Sequence, residues 1–302
     1  MFYVEGTDKG SIYKSCMNMS KKEKKKYSGK ALYQPTGKAG EYAQWAVNFF
    51  TGCSNDCDYC YCKHGVLSTV WGGEPKLKKV FKNENDAFEH FRKEVLPNRA
   101  SIIRNGGVFF SFMTDPCLKE TWPLTKRCIE YLIIRNIPVM VLTKCTEWID
   151  DAETMNLVKN EKANEFLCVG FTLTGEDAME HGAAPNSDRI AAIQFLHGQG
   201  IKTFASLEPV IDFELSYKML ESTYGFCDMY KVGLQSGVSR STYTGAMVSS
   251  FVDRVSSYIM AHCEFSPKVY WKESVRKYLP KDYACLSLGF SVNAKYNIFK
   301  GK

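Results

Sequence analysis

From residue 44 onward the chain alternates between two rhythms. Short apolar runs at 44–50, 107–113, 138–143, 167–172, 202–207 and 227–232 have the length and the β-branched and aromatic content of buried strands. Between them apolar residues recur every three or four positions, the rhythm of a helix with one buried face. In 86–95 that face carries Phe88, Phe91 and Val95. A helix N-capped by Ser187 and running to His197 carries Ile190, Ile193 and Leu196. Segments 124–135, 150–159, 214–222 and 248–262 read the same way, and 268–271 adds a further strand. Residues 1–43 are rich in Gly and Lys and predict an irregular lead-in.

Strands alternating with helices predict a parallel sheet with right-handed crossovers. Six such units point to a full or partial (β/α) barrel, with an open doubly wound sheet as the alternative. In either case the loops after the strand carboxyl ends carry the chemistry. The expected organisation is an N-terminal extension at 1–43, a core at 44–240, and a helical and strand addition at 241–302 packed on that core.

Composition narrows this picture. A chain of 302 residues holds one large α/β domain or two smaller ones. No apolar run reaches 18 residues, so no membrane span is expected. The first residues lack a basic segment followed by an apolar one, so no secretory signal is expected either. Both features point to the cytoplasm. There, twelve cysteines read as metal ligands and buried thiols rather than disulfides. The net charge is +6, with a compact basic run at 21–26. That run reads as a nucleic-acid arm or as a solvated tail.

The strongest chemical signal follows the first expected strand. Cys53, Cys57 and Cys60 are spaced C-x3-C-x2-C within Thr51-Gly-Cys-Ser-Asn-Asp-Cys-Asp-Tyr-Cys-Tyr61. Thiolates are soft ligands, suited to iron–sulfur clusters or zinc. Three of them hold three irons of a 4Fe–4S cluster and leave the fourth open. Tyr59, inside the loop, offers a ring to cover a bound heterocycle. The zinc alternative recruits Cys62 or His64 as fourth ligand. H-E-x-x-H, P-loop and G-x-S-x-G patterns are absent. His64, His90, His181, His197 and His262 show no metal-pair spacing.

The cysteine motif after a first strand resembles the signature of the radical S-adenosylmethionine (SAM) superfamily. Tyr33-Gln-Pro-Thr-Gly-Lys-Ala-Gly-Glu-Tyr42 and Asn48-Phe-Phe-Thr-Gly-Cys53 are similar to the entry of spore photoproduct lyase-like members. So are Ser111-Phe-Met-Thr-Asp-Pro116 and Pro123-Leu-Thr-Lys-Arg-Cys128. Ser206-Leu-Glu-Pro209, Val232-Gly-Leu-Gln-Ser-Gly237 and Tyr270-Trp-Lys-Glu273 resemble segments of a phage-associated radical SAM-like family. The likeness covers roughly 33–275.

The resemblance implies a partial (β/α)6 TIM-like barrel, a 4Fe–4S cluster and SAM as cofactors, and an enzyme. Cys53, Cys57 and Cys60 would ligate three irons, and SAM would chelate the fourth. Reductive cleavage would yield a 5′-deoxyadenosyl radical that takes a hydrogen atom from the substrate. An external one-electron reductant of flavodoxin or ferredoxin type is implied, and nucleic acid is the favoured substrate class. At the strand ends, Thr114 and Asp115 fall where the superfamily meets SAM's amino group, although Asp115 also suits a cap on the Pro116 turn. Thr143 and Lys144 end the third strand, where Lys144 meets an anion or makes a rim salt bridge. Thr172 and Thr174 fall near SAM's ribose. Arg189 suits its carboxylate, or is an ordinary surface arginine. Glu208 suits the ribose hydroxyls or the substrate. Lys231 and Lys272 are weaker candidates for substrate contact.

Cys117 is a candidate hydrogen-atom donor, as a cysteine is in spore photoproduct lyase. That enzyme's donor precedes the aspartate, where this chain has Ser111, Phe112 and Met113. Cys128, Cys168, Cys227 and Cys263 fit core positions. Cys16, Cys62, Cys145 and Cys285 show no compact spacing. Two other readings stand beside the radical enzyme. One is a zinc-stabilised nucleic-acid-binding module. The other is an iron–sulfur electron-transfer or sensor protein that never cleaves SAM.

Overall fold

The computed structural model describes residues 26–64, 68, 71–239 and 241–300. Strands β1 (Leu32–Tyr33), β2 (Ala46–Val47), β5 (Val108–Phe110), β6 (Val139–Thr143), β7 (Leu167–Thr172), β8 (Lys202–Val210), β9 (Met229–Leu234), β10 (Lys268–Trp271) and β11 (Ser291–Val292) form one sheet in that order. Only β1 runs antiparallel to its neighbour. Every pair from β2 to β11 is parallel. A two-stranded sheet of β3 (Phe50–Thr51) and β4 (Lys76–Leu77) brackets the cysteine loop.

The sheet curls. β5 and β9 lie four strand positions apart, about 19 Å in a flat sheet. Yet the Lys231 ammonium on β9 is 6.0 Å from the Phe109 ring centroid on β5. Alternating side chains consequently enter two separate cores. On β9, Tyr230 and Val232 pack outward under the helices, while Met229 joins Tyr42, Phe109, Cys168, Phe204 and Tyr270 on the inner wall. Tyr42 fills the lumen. Its ring packs on Phe109 and Phe112, and its hydroxyl bonds Ser206 on β8. This is the partial (β/α) barrel that the strand rhythm and the resemblance predicted.

Several elements differ from the expectation. The helix expected at 86–95 runs over Glu84–Arg104, straight through Pro97. Ile102 continues the buried stripe, and the Asn98 side chain donates to the Glu94 carbonyl at 2.8 Å, so packing outweighs the lost proline donor. The helix Asn186–Gly198 begins before Ser187, which therefore does not cap it. The Asp177 carboxylate accepts the Asn186 N–H at 2.8 Å and does that work from a distance. The lead-in is not wholly irregular. The Glu94 carboxylate accepts the N–H groups of Lys30, Ala31 and Leu32 at 2.8, 3.1 and 2.7 Å and seats β1 on β2. The sheet thus runs across both expected boundaries, near 43 and 240. Of the basic run only Lys26 is among the described residues, and its ammonium donates to the Pro35 carbonyl at 2.7 Å. Cys16 lies outside them. Cys128, Cys168 and Cys227 are buried, but Cys263 is exposed at a helix end rather than in a core. No described helix is long and apolar enough to cross a membrane.

Candidate functional site

The cysteine loop leaves β3 through Gly52, whose φ of +83° favours glycine; a side chain there would collide with the Glu74 carbonyl. The Cys53 N–H then bonds the Gly72 carbonyl at 2.9 Å, closing the loop's neck. Asn48, on the approach, is buried. Its side chain accepts the Phe112 N–H at 2.9 Å and donates to the Tyr33 hydroxyl at 2.6 Å. It thereby ties β1 and the turn after β5 to the loop's base.

Two clamps hold the loop over the strand carboxyl ends. The first is built on Glu180. A single antiparallel bridge pairs Cys57 with Glu180, the Asp58 N–H bonds the Met179 carbonyl at 2.9 Å, and the Gly182 N–H bonds the Asn55 carbonyl at 3.0 Å. The Glu180 carboxylate accepts the Tyr59 hydroxyl on one oxygen and the Arg189 guanidinium on the other. Both side chains of this ion pair are fully buried. Arg189 also donates to the Ala184 carbonyl at 2.6 Å and the Thr172 carbonyl at 2.7 Å. Its charge is committed within the protein, holding the loop to the end of β7 rather than facing an open site.

The second clamp is Asp115. One carboxylate oxygen accepts the Cys117 N–H at 2.9 Å and the Thr143 hydroxyl at 2.6 Å. The other accepts the Asn55 amide at 2.8 Å and the Lys144 N–H at 2.7 Å. Asp115 therefore caps its own turn and joins the ends of β5 and β6 to the cysteine loop. Glu180 carried no periodic or motif signal, and Asn48 and Asn55, though inside the quoted segments, were not singled out as supports. Only Asn55 lay inside the motif itself.

Burial raises the Cys57 thiol, and burial followed by the Asp115 charge pushes Cys53 up to about 12. Cys60 is lowered to about 6 by a hydrogen bond from Cys62, whose own thiol is raised by the same contact. Burial opposes the Lys144 ammonium, but Tyr59, Cys57 and Glu180 outweigh it and hold that pKa well above the ordinary lysine value. Lys144 stands 5.4 Å from the Tyr59 ring centroid.

The donor set fits an iron–sulfur cluster. Three free soft thiols stand in one clamped loop beside the Lys144 ammonium. Thiols held protonated release protons when a metal binds, so affinity for it falls in acid. Among the described residues no three His, Cys, Asp or Glu side chains gather around a point where one metal ion would sit. A cluster does not require that, since each thiolate takes a different iron; a single zinc site with Cys62 or His64 would.

The remaining candidates are dispersed. Thr172 is buried at the end of β7. Thr174 is fully buried, and its hydroxyl accepts the Glu176 N–H at 3.1 Å, a turn contact. Glu208 pairs with Lys272 at 2.6 and 2.8 Å on the inner wall. Cys117 is 3% exposed and packs in the larger core cluster, its thiol beside Thr143 and Asp115 of the second clamp.

No protein-family model matches this chain. It is 26% identical over 203 residues to an uncharacterized protein of Methanocaldococcus jannaschii, covering 64% of this chain and 69% of that one. A spore photoproduct lyase with bound AdoMet and dinucleoside spore photoproduct superposes with a TM-score of 0.52 at 17% identity over 74% of this chain. The chain spans 63% of that structure's length. A variant of the same enzyme gives 0.57 at 16% identity, covering 78% of both chains. SuiB of Streptococcus suis bound to S-adenosylmethionine gives 0.50 at 11% identity, over 76% of this chain and 52% of that one. What this chain shares with these neighbours is the fold, a parallel sheet curled into a partial barrel.

Proposed function

We propose that this protein is a radical SAM enzyme. The observation that carries the reading is the cysteine loop itself, clamped by Glu180 and Asp115 over the strand carboxyl ends of a fold shared with SAM-binding enzymes. Cys53, Cys57 and Cys60 hold three irons of a 4Fe–4S cluster. When bound, cluster and SAM supply one-electron cleavage to a 5′-deoxyadenosyl radical able to take a hydrogen atom.

The chain's own residues bind, orient and exclude water. Tyr59 is fixed by Glu180 beside the loop and covers the cofactor. Thr114, whose buried hydroxyl has no partner among the described residues, would offer it to SAM, and Thr172 on β7 and Glu208 on β8 are further candidates for contact with it. Asp115, Arg189 and Thr174 act as positioning residues, because their polar atoms are already engaged within the protein. Nucleic acid is the proposed substrate class. It is supported by the neighbour that holds a dinucleoside spore photoproduct. A ferredoxin- or flavodoxin-like protein supplies the electron.

The test is anaerobic. Purified protein should be brown, carry about four irons per chain, and release 5′-deoxyadenosine when reduced with dithionite in the presence of SAM. Cys53→Ala, Cys57→Ala and Cys60→Ala should each lose the iron. A colourless protein with one zinc, or a cluster-loaded protein that forms no 5′-deoxyadenosine, would sink the reading.

A further inference from the structure

A cavity of 240 Å³ lies at the opposite end of the barrel from the cysteine loop. Its walls include Val108 and Met229, the first residues of β5 and β9, so it opens at the strand amino ends. The segment at 293–298 passes beneath it, and Ile298 plugs the inner core beside it. Neither the cysteine loop nor its two clamps reach this space.

Lys231 points into it. The side chain is 4% exposed, and its ammonium donates to the Tyr42 carbonyl at 2.9 Å. A lysine ammonium carries three donors. The other two meet no acceptor among the described residues; aromatic faces surround them instead, Tyr42 at 4.6 Å and Phe204 at 5.3 Å. Desolvation lowers the amine to about 7; the Lys272 charge adds to it, and Cys168 and Glu208 offset only part. Arg104 and Lys295 also line the cavity, against one acid, Glu41. The Glu41 carboxylate is already engaged by the Tyr270 hydroxyl at 3.1 Å and the Glu273 N–H at 3.0 Å.

We infer that this cavity binds a small organic anion, its phosphate or carboxylate seated on the Lys231 ammonium and its body against Tyr42 and Tyr270. A buried cation with idle donors beside an open volume is costly when empty. An anionic group completes its hydrogen bonds with charge-assisted ones. Tyr42 links this chamber to the barrel interior, since the Lys231 and Lys272 ammoniums each lie 4.6 Å from its ring centroid. The inference does not depend on the iron–sulfur loop.

The experiment is isothermal titration of the full chain with two probes, inorganic phosphate and benzoate, in a low-salt buffer at pH 6.5. Wild type should bind at least one of them at a single site, more weakly as salt rises. Lys231→Met should weaken that binding tenfold or more. Ala294→Trp, which fills the cavity without touching a charge, should abolish it. Thermal melts of both variants establish that they are folded. Preference for one probe names the anionic group. No heat from wild type with either probe, or equal affinity in both variants, overturns the inference. Loss in Ala294→Trp with full affinity in Lys231→Met removes Lys231 as the seat and overturns it as stated.

Discussion

The ion pair between Glu180 and Arg189 is the element on which the placement of the cysteine loop most depends, and its removal has a calculable effect. Both side chains are fully buried. Replacing Glu180 by Leu leaves a fully buried guanidinium with two carbonyl partners and, as its remaining counter-charge, only the half-exposed Asp177 carboxylate at 3.7 Å. Breaking a buried pair from one side costs about 3–5 kcal/mol, because the surviving charge stays desolvated. The Tyr59 hydroxyl loses its acceptor at the same time, about 1–3 kcal/mol more where water cannot reach it. We expect about 5 kcal/mol for Glu180→Leu and about 4 kcal/mol for Arg189→Met, a large share of the roughly 5–15 kcal/mol available to a domain. Removing both charges together leaves no orphan charge, only the Tyr59 hydroxyl and two carbonyls without their partners, so the double variant should lie within about 3 kcal/mol of wild type and cost less than Glu180→Leu alone.

The assay is urea unfolding of the metal-free protein, followed by tryptophan fluorescence and analysed as a double-mutant cycle. Hydrogen exchange gives a local readout. The Asp58 and Gly182 amides, which zip the cysteine loop to the segment after β7, should lose protection in the single variants before the strands do. Single variants costing less than about 1 kcal/mol, or a cycle with no coupling, would refute the reasoning. The pair would then be a hydrated contact and not a buried clamp.

Four further outcomes are expected. Gly52→Ala forces a side chain against the Glu74 carbonyl at a φ of +83°, so reconstituted iron content should fall well below wild type while the far-ultraviolet spectrum is kept. Glu94→Ala removes the acceptor of three consecutive N–H groups and should lower stability by about 2 kcal/mol, with faster proteolysis near residues 27–34. Lys231 titrates near 7 in the folded chain against 10.5 when free, so between those values the unfolded chain binds more protons and stability rises with pH, by about 1.4 kcal/mol per unit. Lys231→Met should therefore be the more stable protein at pH 7 by urea midpoint, with the gap closing toward pH 10; a less stable variant at pH 7 would falsify the assignment. Cys117→Ala, at a buried core thiol, should lower the melting temperature yet leave 5′-deoxyadenosine formation intact.

The chain by itself determined the strand–helix alternation, the parallel sheet and the cysteine loop after the first strand. These rest on local signals: period-two and period-3.6 patterns, and three thiols within eight residues. Leu167–Thr172 and Lys268–Trp271 match their expected bounds because burial on both faces writes each strand as one continuous apolar run. The helix across Pro97 and the unused Ser187 cap did not follow from local signals, since in both places a distant side chain or a packed face overrode the local rule. The site split the same way. The ligands were legible because their chemistry is carried by residue type and spacing. Their supports were not: Glu180 meets Tyr59 across 121 positions of chain, and Asp115 meets Asn55 across 60, so only the curled sheet brings them together. Tertiary structure also assigned the roles. It turned Arg189 from a surface charge into a buried strut, set the Cys117 thiol beside the second clamp, and exposed a lysine with idle donors to a cavity at the far end of the barrel, because which face a side chain meets depends on how the sheet closes.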